Sequence, residues 1–139
     1  MATQQQNKNI ARTFVLVDLA APETILGFYT LSVSEVSREG FSNPKKFPNR
    51  VPVVRLGRFA TLKTVQGKGL GEKLLLNALE KVGELSLNAG IAAIVVDAKD
   101  TTAATYYQKY GFVPSPENPL QLFLMTATLQ AAIAEAAQK

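Results

Sequence analysis

The sequence has 139 residues, of which 47% are hydrophobic and 19% charged, a composition typical of one globular domain. It contains neither cysteine nor histidine, which excludes disulfides, thiol chemistry, imidazole bases and most zinc sites. No apolar run reaches the roughly 18 residues that cross a bilayer, and the polar start is not a secretory signal. We expect a cytoplasmic protein with no membrane or metal, one domain over 1–139, its core over 12–126 and a tail over 127–139.

Positive charge is concentrated in one segment. The net charge is +4, but residues 38–73 contain nine bases and two acids, a net +7, which leaves −3 for the rest. Such a segment is either a solvated surface or a site that attracts a polyanion, the phosphates of a cofactor or a nucleic acid.

The first half of the chain predicts three strands. Residues that favour strands are enriched over 13–18 and 25–33, and the Ala-Pro-Glu between them predicts the turn of an antiparallel hairpin. Three prolines make 40–52 an exposed basic loop. Strand character returns over 53–62, where Gly57 indicates a bulge.

Helices and strands alternate in the second half. The predicted elements are a helix over 69–88 that Gly90 caps, a buried strand over 91–97, a helix over 101–110, a strand over 120–126, and a frayed helix or docking tail over 129–139. This order predicts an α/β (α+β) fold in which one mixed sheet is flanked by helices.

A glycine-rich turn, Gln66-Gly67-Lys68-Gly69-Leu70-Gly71, joins the third predicted strand to the first predicted helix. A helix N-terminus presents free N–H groups and about half a positive charge, and glycines let a phosphate approach the main chain. A tight structural turn is the alternative use of these glycines. A P-loop requires Ser or Thr where Gly69 stands, and a dinucleotide fingerprint requires Gly where Glu72 stands, so both are excluded.

The turn and the elements after it resemble the GNAT superfamily of N-acetyltransferases. Residues 66–71 match its signature, Gln/Arg-x-x-Gly-x-Gly/Ala. After a helix and a buried strand, the second predicted helix carries Ala103, Tyr107 and the terminal Gly111-Phe112 in the family's places. The resemblance covers 13–126. It implies the GNAT fold and an acetyltransferase that uses acetyl-CoA.

The resemblance also implies roles for individual residues. Backbone groups of Phe59, Ala60 and Thr61 would lie beside the pantetheine arm, and Gln66, Gly67, Lys68, Gly69, Leu70 and Gly71 would hold the pyrophosphate. Tyr107 would protonate the departing CoA thiolate, although a tyrosine taken alone is more often a core aromatic. Asp100 stands where the superfamily commonly has an asparagine that bonds the pantetheine.

A narrower resemblance is to the acetyltransferase toxins of bacterial type II toxin–antitoxin modules. It rests on Arg55-Leu56-Gly57-Arg58-Phe59-Ala60, the basic loop before it, and the run from Gly111 to Pro116. It implies acetylation of aminoacyl-tRNA, a block of translation, a ribbon-helix-helix antitoxin as partner and a homodimer. Such proteins begin with a further strand and helices, which we expect this chain to lack.

The predicted strand 53–62 contains no carboxylate, so no general base is expected beside the thioester. A lysine amine, with a pKa of about 10.4, is almost wholly protonated at neutral pH, whereas an α-amine titrates near about 7.7 to 8.0. An α-amine acceptor is therefore favoured. Asp97 or Glu35 acting through water is the alternative.

Six bases of the basic segment are candidates for holding an RNA backbone: Arg38, Lys45, Lys46, Arg50, Arg55 and Arg58. Two other functions stay open on sequence alone. One is a GNAT enzyme that acetylates a small-molecule or protein N-terminal amine, and the other is a non-catalytic module that binds an acyl-CoA or a partner.

Overall fold

The structure is a computed structural model that describes residues 11–61 and 69–137. Within them, six strands form one sheet and three α-helices flank it. The strands are β1 (Ala11–Asp18), β2 (Ala21–Ser37), β3 (Arg50–Thr61), β4 (Ala93–Asp97), β5 (Val113–Ser115) and β6 (Asn118–Met125). The helices are α1 (Leu70–Ala89), α2 (Thr101–Gln108) and α3 (Thr126–Ala137), and two 3-10 turns cover Arg38–Gly40 and Pro44–Lys46.

The strand order across the sheet is β1-β2-β3-β4-β6-β5. Only the central pair, β3 and β4, is parallel, and every other neighbouring pair is antiparallel. The parallel pair is connected through α1, as a crossover connection requires. The predicted fold class, a mixed and mostly antiparallel sheet flanked by helices, is confirmed.

The first hairpin is tighter than predicted. Asp18 pairs with Ala21, and the Asp18 carboxylate accepts a hydrogen bond of 2.9 Å from the Ala20 N–H, which closes the turn. The predicted turn over 19–24 was therefore wrong, because most of it belongs to β2. Pro22 is tolerated there because pairing of β2 with β3 begins only at Gly27.

The predicted basic loop over 40–52 is not wholly exposed. Phe41 is buried, and its ring lies 4.5 Å from the rings of both Phe47 and Phe123. These aromatic contacts hold the two 3-10 turns against the sheet, and β3 already begins at Arg50. Lys45 and Lys46 remain exposed.

Two further elements differ from the sequence prediction. The edge strand β5 was not predicted, because its central Pro114 argued against a strand, although edge strands tolerate proline. The segment predicted over 129–139 as a frayed helix or a docking tail is a 12-residue helix, α3, that begins at Thr126 and is docked on α1. The Gln130 amide donates to the Gly83 carbonyl at 2.6 Å and so ties α3 to α1.

Each face of the sheet has its own core. The helix face, covered by α1 and α2, buries a large cluster that includes Tyr29, Leu56, Leu75, Ile94 and Tyr107. The opposite face, which we call the loop face, buries a smaller cluster: Phe41, Val51, Val53, Ala93, Val95 and Phe123. In the part of the chain that the structure describes, no helix is long and apolar enough to span a membrane.

Candidate active site

The centre of the sheet splits. β3 pairs with β4 only from Val53 to Leu56, after which β3 continues beside β2 as far as Thr61. β4 pairs with β6 up to its own end at Asp97, one residue after its last pairing with β3. β3 therefore extends past the end of β4, which leaves a gap on that side of β3.

The gap forms a cleft of about 790 Å³. Its walls are the ends of β3 and β4, the segment after β4 and the first turns of α2, and they include Leu56, Phe59, Val96, Lys99, Tyr106 and Tyr107. A cleft of this size suits an extended small molecule.

The wall formed by β3 contains a bulge. Phe28 pairs with Ala60 but Thr30 pairs with Gly57, so Arg58 and Phe59 together face Tyr29. The bulge predicted at Gly57 thus lies directly after it. Because a bulge interrupts the ladder, and β3 beyond Leu56 has no described strand on its cleft side, backbone groups there are available to a ligand. Phe59 also lines the cleft, as predicted.

The glycine turn is described only from Gly69 onward, and Gln66, Gly67 and Lys68 lie outside the described residues. Gly69 is the N-cap of α1, with φ of 78° in the left-handed region that favours glycine. The first bond at this end of α1 runs from the Lys73 N–H to the Gly69 carbonyl, 3.2 Å. The N–H groups of Leu70, Gly71 and Glu72 precede it and form the positive end of the helix.

Tyr107, the predicted general acid, lies in the wall of the cleft. It is 8% exposed, its ring packs edge-on against Phe112 at 5.6 Å, and it lines the cleft. Burial, and secondarily the neighbouring Tyr106, raises the pKa of Tyr107. The phenol is therefore protonated at neutral pH, which is the state that a general acid needs.

Both carboxylates that line the cleft are already engaged. Asp97 forms an ion pair with Arg55 and accepts a long hydrogen bond, 3.5 Å, from Gln121. Asp100 caps α2 by accepting from the Ala103 N–H at 2.8 Å. The cap explains an aspartate at this position, because it satisfies a free donor at the helix start.

Glu35, the other base suggested by the sequence, lies away from the cleft. It pairs with Pro52 in the sheet register, and its carboxylate is 3.7 Å from the Arg50 guanidinium. Four strand positions separate Pro52 from Leu56, about 13 Å at the usual rise of about 3.3 Å per residue.

The six predicted RNA-binding bases differ in their surroundings. Arg38, Arg50 and Arg55 form ion pairs with Glu39, Glu35 and Asp97, whereas Lys45 and Lys46 form none with another described residue. The side chain of Arg58 is not among those described. Arg55 alone of the other five lines the cleft, and Arg50 lies six strand positions from Leu56 in the cleft wall, about 20 Å along β3.

The basic loop and the Arg55–Asp97 pair share one face of the sheet. Phe41 and Phe47 hold the loop on the loop face, where Val53 and Val95 are buried. Arg55 and Asp97 follow these valines by two residues on their strands, and therefore project to the same side. The loop face thus carries positive charge at one end and the open cleft at the other.

Sequence reasoning missed one cluster beside the glycine turn. The Tyr110 hydroxyl donates to the Glu72 carboxylate at 2.6 Å, and the ring of Tyr106 packs edge-on against that of Tyr110 at 5.4 Å. The spacing of Tyr106 and Tyr110 by four residues was a signal, since it places them on one side of α2 and the turn that follows it. This spacing does not indicate their partner on α1, Glu72.

The sequence profile of the family described as acetyltransferase (GNAT) domain matches residues 9–114, more than half of the chain. The chain belongs to this family. The GNAT resemblance and the predicted class of enzyme, an N-acetyltransferase, are thereby confirmed.

Curated GNAT relatives include a tRNA-acetylating toxin of Mycobacterium tuberculosis (strain ATCC 25618 / H37Rv), 32% identical over 113 residues. That match covers 80% of this chain and 68% of the relative. A probable toxin TacT of Sinorhizobium fredii (strain NBRC 101917 / NGR234) is 27% identical over 77% of this chain and 65% of its own length. The chain therefore spans about two thirds of the length of these relatives.

Solved structures of similar GNAT proteins share the fold over nearly the whole chain. AtaT complexed with acetyl-methionyl-tRNAfMet is 34% identical, with a TM-score of 0.82 over 94% of this chain and 79% of that one. A mutant AtaT toxin bound to the C-terminus of the antitoxin AtaR and acetyl-CoA is 31% identical, with a TM-score of 0.75 over 96% of this chain and 78% of that one.

Proposed function

We propose that this protein transfers the acetyl group of acetyl-CoA to the α-amine of an aminoacyl-tRNA, and that it thereby acts as a toxin that blocks translation in the cytoplasm. The observation that carries the proposal is the cleft itself. It contains a buried phenol, the positive end of α1 lies beside Tyr106 in its wall, and both of its described carboxylates are engaged.

The acetyl-CoA thioester would lie in the gap between β3 and β4. Free backbone groups of Phe59, Ala60 and Thr61 would hold the pantetheine arm and polarise the thioester carbonyl. The pyrophosphate would lie against residues 66–71, where the described part, Gly69 to Gly71, presents unpaired N–H groups to an anion. A 790 Å³ cleft next to that helix end fits a molecule of this shape.

The chemistry would be direct attack. The neutral amine forms a bond to the thioester carbon, the carbon–sulfur bond breaks, and the amine loses a proton to water. Tyr107 donates its hydroxyl proton to the departing thiolate, so that CoA leaves as the thiol. The raised pKa of Tyr107 keeps the phenol protonated at neutral pH, and the phenolate left after the transfer regains its proton from water.

The engaged carboxylates favour an α-amine as acceptor. Asp97 is neutralised by Arg55, and Asp100 is bonded to a helix N–H, so neither is a free base. An amine that titrates near about 7.7 to 8.0 supplies a neutral fraction without help, whereas a lysine amine does not. Esterification to tRNA removes the α-carboxylate and lowers the pKa of the α-amine further.

The loop face offers a path for the RNA. Lys45 and Lys46 would contact the phosphates of the acceptor arm, and the aminoacyl end would reach the thioester from the Arg55–Asp97 side, opposite to α2. A separation of about 20 Å between the loop and the cleft is compatible with a substrate that spans several phosphates. Arg38, Arg50 and Arg58 would add to the positive field, and Arg55 would hold Asp97 beside the acceptor.

Relatives support the partners as well as the reaction. AtaT is 34% identical and its structure contains acetyl-methionyl-tRNA, while the mutant toxin is bound to its antitoxin and acetyl-CoA. We therefore propose an antitoxin as a partner of this chain. A ribbon-helix-helix fold of that antitoxin, a homodimer and a single domain over 1–139 with its core over 12–126 are proposed from the sequence resemblance alone.

Transfer of labelled acetyl from acetyl-CoA tests the proposal. The acceptors are a pool of charged tRNAs, the same tRNAs without amino acids, and amino acid methyl esters. Label on charged tRNA alone is expected, and it should be lost on mild alkaline deacylation of the tRNA. Equal labelling of the methyl esters would indicate a small-amine enzyme, and acetyl-CoA binding without any transfer would indicate a non-catalytic module.

A double variant, Lys45→Ala with Lys46→Ala, separates the RNA surface from the cofactor site. It should reduce kcat/KM for charged tRNA about tenfold, because two phosphate contacts are lost, and it should leave acetyl-CoA affinity unchanged. Lys81→Ala is the matched control, because Lys81 is a cation on α1 that packs over Phe14 on the other face.

A further inference from the structure

Tyr106, Tyr110 and Glu72 join the two helices that frame the cofactor end of the cleft. Glu72 lies in the first turn of α1, and Tyr110 lies just after α2. Their hydrogen bond, 2.6 Å from the Tyr110 hydroxyl to the carboxylate, links segments 38 residues apart in the chain. This link fixes the start of α1 relative to the helix that carries Tyr107.

The Tyr106 hydroxyl lies at the start of α1. A methyl group placed on Gly71 would be 3.9 Å from this hydroxyl, and Gly71 belongs to the turn whose N–H groups have no partner within the helix. The ring of Tyr106 forms part of the cleft wall, next to Tyr107, with 5.5 Å between ring centroids. A hydroxyl donor therefore stands between the pyrophosphate end and the thioester end of the cleft.

The hydroxyl of Tyr106 is available to a ligand. The Tyr110 proton is directed to Glu72, and the Tyr106 hydroxyl donates to no other residue that the structure describes, so its one proton is free for a ligand. Burial raises the pKa of Tyr106, an effect that the adjacent Tyr110 hydroxyl opposes and the Glu72 charge reinforces, so this phenol keeps its proton at neutral pH. A neutral phenol beside free amides donates to an anion, as the amides do.

We propose that Tyr106 is a further cofactor-binding residue that donates its hydroxyl to the pyrophosphate of acetyl-CoA, with Tyr110 and Glu72 as the residues that position it. The inference rests on the proposed function of the cleft and adds a named side chain to a site otherwise formed by backbone groups. It also explains why an acid, Glu72, lies beside an anion site. The Glu72 carboxylate accepts the Tyr110 hydrogen bond and so faces α2.

A purely structural link between α1 and α2 is the competing explanation, and the ligand can separate the two. Acetyl-CoA carries the pyrophosphate, whereas S-acetylpantetheine carries the same thioester and arm without phosphate. Loss of a residue that binds the pyrophosphate should weaken the binding of acetyl-CoA only. Loss of a residue that merely holds the helices together should weaken the binding of both compounds, because both occupy the same gap.

The experiment measures the affinity of wild type and Tyr106→Phe for acetyl-CoA and for S-acetylpantetheine by calorimetry. Loss of one hydrogen bond to a charged group predicts about tenfold weaker binding of acetyl-CoA, with the affinity for S-acetylpantetheine unchanged. In turnover, KM for acetyl-CoA should rise by the same factor while kcat at saturation is retained. Tyr110→Phe and Glu72→Gln should give smaller losses of the same selective kind.

Thr105→Val is the control, because it removes an exposed hydroxyl from the same helix, where it bonds only the Thr101 carbonyl. It should change neither affinity. Unchanged acetyl-CoA binding by Tyr106→Phe, or an equal loss for both ligands, would overturn the inference. Failure of wild type to bind either ligand would contradict the proposed function itself. A binding defect confined to the variant would leave the proposed function intact.

Discussion

The hydroxyl of Tyr29 donates a 2.5 Å hydrogen bond to the Asn77 side-chain oxygen and so connects the middle of β2 to α1. Tyr29 is fully buried, with its ring stacked on Phe14 at 5.1 Å, whereas Asn77 is otherwise exposed. A residue that looks replaceable on the outer face of a helix is therefore the partner of a buried phenol.

Asn77→Ala is expected to lower the free energy of unfolding by about 1 to 3 kcal/mol, because it leaves the buried hydroxyl without its acceptor. Urea denaturation measures the change. In a Tyr29→Phe background the same substitution should cost well under 1 kcal/mol, about the scale of an exposed helix position. Equal costs in both backgrounds would show that the hydrogen bond contributes nothing.

Alkaline pH should destabilise the fold through Tyr29. Burial, with a smaller effect of Glu80, raises its pKa from 10.0 to about 12. Below pH 10 both states hold this proton, so the group gives no pH dependence. Between pH 10 and 12 only the unfolded chain releases the proton, so the free energy of unfolding falls with rising pH, by up to about 1.4 kcal/mol per unit for one group.

Denaturation midpoints measured from pH 8 to pH 11.5 test this sign. Tyr29→Phe should make the decline above pH 10 shallower than in wild type. Tyr106, Tyr107 and Tyr110 also have raised pKa values and preserve part of the slope in that variant. A stability that rose with pH above 10 would contradict the assignment.

The elements that were predicted well from the sequence are those whose residues follow a regular pattern over many consecutive positions. The helix predicted over 69–88 was found at Leu70–Ala89, because its apolar residues repeat over five turns and glycines flank both ends. Gly90 is left-handed, with φ of 66°, as a C-cap glycine should be. The roles of the glycine turn and of Tyr107 were predicted from family motifs, because such motifs are associated with a known three-dimensional arrangement.

The parts that sequence could not predict depend on pairs of distant residues. Arg55 and Asp97 are 42 positions apart and meet only because β3 and β4 are parallel neighbours in one register. The cleft, which opens where β3 extends past the end of β4, is likewise a property of the sheet and leaves no local pattern. Arg55, predicted from the sequence to contact RNA, forms an ion pair with Asp97 that the sequence did not indicate.

Tyr107→Phe should lower kcat by at least about tenfold, since general acid catalysis contributes roughly 10² to 10⁴ in rate. Affinity for acetyl-CoA should be unchanged, because the lost group acts on the leaving thiolate and not on the bound thioester. Single-turnover transfer and calorimetry, run on the same preparation, provide the two values. Because the phenol has a raised pKa, wild-type kcat should show no loss of the acid below pH 10.

Gly69→Ala and Gly90→Ala form a matched pair at the two ends of α1. Both glycines have positive φ, 78° and 66°, and an added methyl group would meet no atom within 4 Å at either position. Each substitution should therefore cost about 1 to 2 kcal/mol of stability through backbone strain alone.

Only Gly69 lies in the turn proposed to hold the pyrophosphate, so only Gly69→Ala should also weaken acetyl-CoA binding. The reason is that relief of the strain would turn the free N–H groups of α1 away from the anion. Thermal denaturation compares the stabilities, and calorimetry with acetyl-CoA compares the affinities. Equal affinities for the two variants would remove the start of α1 from the cofactor site.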